Sequence, residues 1–356
     1  MKPIRARMLG TAVIVWALVC APRPGWSGQA PNPAEIGRRP ASGKQVYTIQ
    51  VGGIDREVIV YMPSHARHAP AVLMLHGTSG DSEQFFNISG WREKADEVGF
   101  IAVFPSALVY CFKEDENGDG DLDDPGELNV TTKWASGGLG TPVRPLCSAA
   151  ELAALPPAAR AAADHPLMDD VAFSRAILDE LSRRYPVDER RVYASGFSNG
   201  AEMTSRLALE MSDRFAAIAT AAGELELPAA PAARPIPVLF SVGELDDRFT
   251  TILDIPAIPL ARSLFEDVPD LFTGVVRPML TVLQLGDAAR YAEGVVNGTK
   301  ISAFRFSQSL VGAPNDYRFL VIEGLGHQYP NGTNHPVVMA DVLWDFFRRW
   351  SLPPGH

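Results

Sequence analysis

Short apolar runs halted by glycine recur along this chain, and longer stretches of helical period lie between them. Ala71-Val72-Leu73-Met74-Leu75 gives way to His76-Gly77-Thr78-Ser79-Gly80, and Arg191-Val192-Tyr193-Ala194-Ser195 gives way to Gly196. Likewise Ile236-Pro237-Val238-Leu239-Phe240-Ser241-Val242 stops at Gly243, and Tyr317-Arg318-Phe319-Leu320-Val321-Ile322 at Glu323-Gly324. Runs with so little polar alternation read as strands covered on both faces, as in a parallel sheet. Helices are expected over about 171–185 and 201–211, with another beginning near 283. Strands alternating with helices give an α/β class with a mostly parallel central sheet flanked by helices.

The ends of these strands carry the candidate chemistry. Gly196-Phe197-Ser198-Asn199-Gly200 joins a strand to a helix through a sharp turn. Glycines on either side of Ser198 leave room for that turn and lift the hydroxyl above the sheet edge, the pattern of an α/β-hydrolase nucleophile. Ser198 also lies at the positive end of the helix, so the backbone N–H of Asn199 is aimed where an oxyanion would form. The glycine turn after Leu75 supplies the second donor, the N–H of Thr78. Downstream, Asp246 follows the strand ending at Val242, and His327 follows the one ending at Ile322. Serine, acid and histidine thus occur in the order Ser198, Asp246, His327, each at a strand's carboxyl end.

Each residue type has a reason to be there. A serine hydroxyl is a poor nucleophile until a neutral imidazole takes its proton, and the imidazole needs an acceptor to hold its tautomer. Taken singly, Ser198 would be an N-cap, Asp246 a turn former and His327 a loop residue; their ordered occurrence favours the catalytic reading. Asp247 is the rival acid. His335, in Asn331-Gly332-Thr333-Asn334-His335, is the rival base, although its place before Pro336 and a C-terminal helix suits a capping or surface role. Asp169 and Asp170 begin a helix and read as caps.

With these residues named, the chain resembles the secreted polyhydroxybutyrate depolymerase and feruloyl esterase group. The likeness lies in the stretch 46–62, Leu75-His76-Gly77, Trp91, the segment 99–105, Met168-Asp169-Asp170-Val171, the segment 185–192 and Gly196-Phe197-Ser198-Asn199-Gly200. Gly324-Leu325-Gly326-His327 and Val342-Leu343-Trp344-Asp345-Phe346-Phe347 extend it. The resemblance implies an α/β-hydrolase fold and a serine enzyme that cleaves esters without a cofactor, with Ser198, Asp246 and His327 as the matching triad. Three features depart from the group's pattern. Thr78 stands where many relatives carry cysteine, Ala201 where they usually carry glycine, and insertions near 107–165 and 250–280 have no counterpart.

Composition narrows the setting. Lys2, Arg5 and Arg7 precede an apolar core over 8–21, which is short for a membrane span and is followed by Pro22, Pro24 and Gly25. Residues 1–30 are read as a signal peptide and 31–356 as one catalytic domain of a secreted protein, extracellular or periplasmic. The net charge is −10, falling to −14 once Lys2, Arg5, Arg7 and Arg23 leave with the acid-free first thirty residues. Such a surface argues against nucleic acid and anionic membranes as partners. With 46% hydrophobic residues and no Pro/Ser-rich linker, the chain can bury one large core.

The insertions add two further expectations. Cys111 and Cys147 form an even pair in an exported chain and are expected to be joined; closing that span is worth about 3 to 4 kcal/mol in the loop-entropy model. Inside the span, Asp115, Asn117, Asp119 and Asp123 fall at the first, third, fifth and ninth positions of a calcium-loop spacing, with Gly120 at the sixth. The Asp121 carbonyl completes the pattern, while the twelfth position is Gly126, with Glu127 one residue late. Eight carboxylates between Glu114 and Glu127 would repel one another without a cation, so a structural calcium ion is expected. The apolar insertion, rich in leucine, isoleucine, valine and phenylalanine, is either a lid or acyl-pocket wall over the nucleophile or a packed helix pair.

The reading is a secreted serine esterase acting on carboxylic esters, feruloyl or acetyl esters of plant polysaccharide or a polyhydroxyalkanoate. A serine peptidase or amide hydrolase would use the same triad. A non-catalytic binding protein of the same fold would typically have lost a triad member.

Overall fold

Among the described residues, twelve strands arise where the sequence supplies β-branched and aromatic runs between turns. A computed structural model describes residues 41–115, 120–124, 126–223 and 232–354, so the expected leader lies outside the described residues. In chain order the strands are β1 (Gly43–Val51), β2 (Ile54–Met62), β3 (Ala69–Leu75), β4 (Ile101–Pro105), β5 (Leu108–Lys113) and β6 (Leu128–Lys133). They continue with β7 (Val187–Phe197), β8 (Ala217–Ala221), β9 (Val238–Gly243), β10 (Ala289–Val296), β11 (Thr299–Phe306) and β12 (Tyr317–Ile322). Ten of them form one sheet in the order β1-β2-β4-β3-β7-β8-β9-β12-β11-β10. The run from β4 to β12 is parallel, and antiparallel hairpins close both edges.

The strand pattern explains the two-sided burial. In β3 every residue is buried, yet its side chains alternate between two cores: Ala71, Leu73 and Leu75 on one face, Val72 and Met74 on the other. The first core takes the apolar stripes of helices Asp170–Arg184 and Asn199–Glu210, through Phe173, Ile177, Leu181, Met203 and Leu207. The second takes helices Trp91–Val98 and Met339–Phe347, where Trp91, fully buried, stacks 6.0 Å from Phe347. Truncating such a buried indole costs about 3–5 kcal/mol.

One expected element is corrected. No helix begins near 283: helix Arg277–Leu283 ends there, Gln284 turns left-handed (φ 55°), and the chain returns as β10 and β11. The hairpin is dictated by Asn297-Gly298, whose positive φ values of 50° and 82° suit a tight turn between twisted strands. β10 is largely exposed, so its sequence lacks the apolar run that marks the central strands.

Both insertions build onto this frame. The first pairs β5 with β6 in a separate two-stranded sheet, and the Cys111–Cys147 disulfide crosses it. The second holds short helices and a π-helical turn over Phe272–Val276. Its Leu264, Leu271 and Val276 are fully buried, and Phe265 lies 4.5 Å from Phe304, so most of its apolar residues serve the core.

Candidate active site

Ser198 sits where β7 turns into helix Asn199–Glu210, with φ 52° and ψ −126°. A non-glycine residue held there stores on the order of 1–3 kcal/mol of backbone strain, which the surroundings must over-determine. They do so sterically. A Cβ on residue 196 would lie 2.0 Å from the Gly200 carbonyl oxygen, and one on residue 200 would lie 2.3 Å from that of His76. The Ser198 N–H is also tied to the Ala221 carbonyl at 2.8 Å. Strand, crossing and helix therefore force the hydroxyl above the sheet edge.

The sheet's topology brings the other two residues to it. β9 and β12 are neighbours, and the loops after their carboxyl ends carry Asp246 and His327. His327 Nε2 lies 3.0 Å from Ser198 Oγ, and its Nδ1 lies 3.0 and 3.1 Å from the two Asp246 oxygens. The carboxylate accepts from Nδ1–H, which leaves Nε2 free to accept from the serine hydroxyl; this tautomer is the one the contacts require. Asp246 is fully buried and also accepts the Arg248 N–H at 3.1 Å as the cap of helix Asp247–Ile252. Its neighbour Asp247 is exposed on that helix and makes no contact with His327. His335 is not a second base. It is buried in the loop before the last helix, with Nε2 at 2.9 Å from the Glu323 carbonyl and Nδ1 accepting the Val337 N–H, so it is neither a cap nor a surface residue.

Ser198, His327, Thr78 and Asn199 line one cavity of about 530 Å³. Gly77 packs against the nucleophile closely enough that a Cβ on it would lie 3.2 Å from Ser198 Cβ. Phe249, Ile252, Leu253 and Val275 of the second insertion form an apolar wall, and Ile252 is 81% exposed although it is a large aliphatic side chain. The first insertion supplies a polar wall that includes Asn129, Thr131, Lys133, Glu114 and Arg144. There Glu114 is clasped by Lys133 at 3.0 Å and Arg144 at 2.7 Å.

Several contributors escape a sequence reading because their partners are distant. Asp169 caps its helix as expected, accepting the Val171 and Ala172 N–H groups. Asp170 does not. It is fully buried, pairs with Arg56 at 2.7 Å, and accepts the Ala135 N–H at 2.7 Å. His76, also fully buried, has its pKa lowered to about 4 by desolvation, which keeps the ring neutral beside the turn at Gly77–Gly80. Its Nδ1–H faces the Gly77 carbonyl at 2.7 Å and its Nε2 accepts the Ala107 N–H at 3.0 Å.

Of the expected calcium ligands, Asn117 and Asp119 lie outside the described residues. Asp115 accepts the Gly120 N–H, Asp121 accepts the Asp123 N–H, and Asp123 pairs with Lys113. Among the described residues no three His, Cys, Asp or Glu side chains converge as a metal site, and no helix is long and apolar enough to cross a membrane.

No family model matches the chain. It is 32% identical over 52% of its length to "Putative esterase NocK" of Nocardia uniformis subsp. tsuyamanensis, of which it covers 42%. It is 26% identical over 55% of its length to the bifunctional acetylxylan esterase/xylanase XynS20E of Neocallimastix patriciarum, of which it covers 22%. The chain thus spans less than half the length of these curated relatives. Among solved structures, the acetyl xylan esterase from Aspergillus awamori superposes with a TM-score of 0.50 at 14% identity, covering 85% of this chain and 99% of that one.

Proposed function

This chain has the α/β-hydrolase fold, and we propose that it is a serine esterase working through an acyl-enzyme. The observation that carries the reading is the continuous relay Ser198–His327–Asp246 at the base of an open cavity, with contacts of 3.0 Å at each step. In the proposed cycle His327 Nε2 takes the proton of Ser198 as Oγ attacks the ester carbonyl carbon. The resulting oxyanion is held by the N–H groups of Thr78 and Asn199. Collapse breaks the bond to the alcohol oxygen, which leaves with the proton from His327. Water then enters by the same route and releases the acid.

The substrate class follows from the walls and from the named relatives. An apolar wall suits an acyl group, and a polar wall with side-chain hydroxyl, amide and charged groups suits a hydroxylated alcohol. Feruloyl or acetyl esters of plant polysaccharide are the proposed substrates, in keeping with the acetylxylan esterase among the relatives; polyhydroxybutyrate is the other polymer that fits the sequence resemblance. A panel of methyl ferulate, acetylated xylan and polyhydroxybutyrate, run beside a p-nitrophenyl ester and its anilide, tests this. Turnover of a feruloyl or acetyl ester at least about tenfold above the anilide is expected, since esters need no strong leaving-group protonation. Faster anilide cleavage would replace the esterase by an amide hydrolase.

Secretion, with loss of a leader within residues 1–30, belongs to the same proposal, as does one calcium ion in the acidic loop. A bound ion favours the folded state by RT ln(1 + [Ca]/Kd). EDTA should therefore lower Tm, increasingly so as free calcium falls toward Kd. Unchanged melting and no calorimetric heat up to millimolar calcium would make the loop a solvated excursion.

A further inference from the structure

We infer that the β5–β6 hairpin, tied by the Cys111–Cys147 disulfide to the segment that follows it, is a clamp that sets the oxyanion hole, with Trp134 its principal positioning residue; this rests on the esterase reading above. Within the loop, the Gly80 N–H donates to the Gly77 carbonyl at 3.1 Å, but that turn alone leaves a strained residue to be held. Ser79, directly after Thr78, is in the left-handed region (φ 66°), a conformation that costs a non-glycine residue on the order of 1–3 kcal/mol. What holds it there is β6. The Ser79 N–H donates to the Thr132 carbonyl at 3.0 Å, the Thr131 hydroxyl donates to Ser79 Oγ at 2.8 Å, and the Thr132 hydroxyl donates to the Gly80 carbonyl at 2.7 Å. Three bonds from one strand therefore fix Ser79 and Gly80, the two residues that follow the proposed donor Thr78.

Trp134, just beyond β6, grips both sides of the hole. Its indole N–H donates to the His76 carbonyl at 2.8 Å, at the start of the loop. Its backbone N–H donates to Asn199 Oδ1 at 2.6 Å, and Asn199 Nδ2 returns to the Trp134 carbonyl at 3.3 Å, so the second oxyanion residue is held by the same tryptophan. The ring is fully buried and lies 5.1 Å from that of His76. The hairpin is in turn held just past the end of β6 and within β5. Ala135, next in the chain, donates to Asp170 of the buried Arg56 pair, while Cys111 in β5 is joined to Cys147. The loop carrying one donor and the helix start carrying the other are thus set against a single rigid strand. An oxyanion hole works only if its donors are fixed before the charge develops.

The test separates clamping from mere stability and from substrate contact. Trp134→Phe keeps the aromatic volume and removes the indole N–H. It should lower kcat on a p-nitrophenyl ester about 10-fold or more with KM within about twofold, and weaken inhibition by a trifluoromethyl ketone, whose hemiketal oxyanion occupies the hole, by the same factor. Thr131→Val, in which the hydroxyl bond to Ser79 is lost near the surface, should act in the same direction by about threefold, and serves if the first variant does not fold. Parallel losses in kcat and ketone affinity support the clamp. A lower Tm with both unchanged, or an effect confined to KM, overturns it. Failure of the unaltered protein to hydrolyse any ester or to react with a fluorophosphonate removes the esterase reading itself, and the clamp with it.

Discussion

Ser198→Ala is expected to lower kcat on an activated ester by about 10⁴-fold or more while leaving the fold intact, because serine, histidine and acid act as a unit and little survives the loss of one. Stability should barely move. Alanine keeps the Cβ, so the strain at φ 52° and the fit around it are unchanged, and the one bond lost is to a largely buried imidazole at 3.0 Å. A fluorophosphonate should label the unaltered protein at Ser198 alone, since no other hydroxyl in the cavity has an imidazole poised against it; Ser79 and Thr131 there bond to each other. Mass spectrometry of the labelled peptide and a Tm measurement on the variant check both halves. Label at another residue, or full turnover without the Ser198 hydroxyl, would end the proposal.

Why the Ser198–His327–Asp246 contacts are legible in the sequence while those of Trp134 are not is a matter of range. The nucleophile turn is local: two glycines around a serine report a crossing so tight that neither tolerates a Cβ, and their spacing is visible in five residues. His327 and Asp246 are 81 residues apart, yet each ends an apolar strand, and parallel strands gather their carboxyl ends on one edge of the sheet. Trp134 gives no such signal. It follows β6, a strand of mostly polar residues without the apolar run of the central strands, and its worth depends on His76 and Asn199, which are 58 and 65 residues away. Asp170 is hidden for a related reason: at a helix start a carboxylate reads as a cap, and only the position of Arg56 in β2 turns it into a buried pair. The β10–β11 hairpin is hard to read from the sequence although Asn297-Gly298 announces it, because an exposed edge strand lacks the apolar run that marks the others.

Exchanging the two adjacent acids should separate their roles sharply. Asp246→Asn is expected to reduce kcat by about 10²- to 10⁴-fold, and Asp247→Asn to change it less than about twofold. Asp246 is fully buried with both oxygens near 3 Å from His327 Nδ1. An amide there is nearly the same size, so the fold should survive. It can, however, present its NH₂ to Nδ1, which moves the ring proton to Nε2 and leaves no acceptor for the serine hydroxyl. It also removes the negative charge that steadies the imidazolium formed during attack. Asp247 faces solvent in the first turn of helix Asp247–Ile252, where its charge meets the helix dipole but not the imidazole. Steady-state kinetics on the two purified variants decide it. The reverse pattern would move the acid by one residue and contradict the 3.0 Å contact, and two silent variants would mean that His327 needs no carboxylate to act as base.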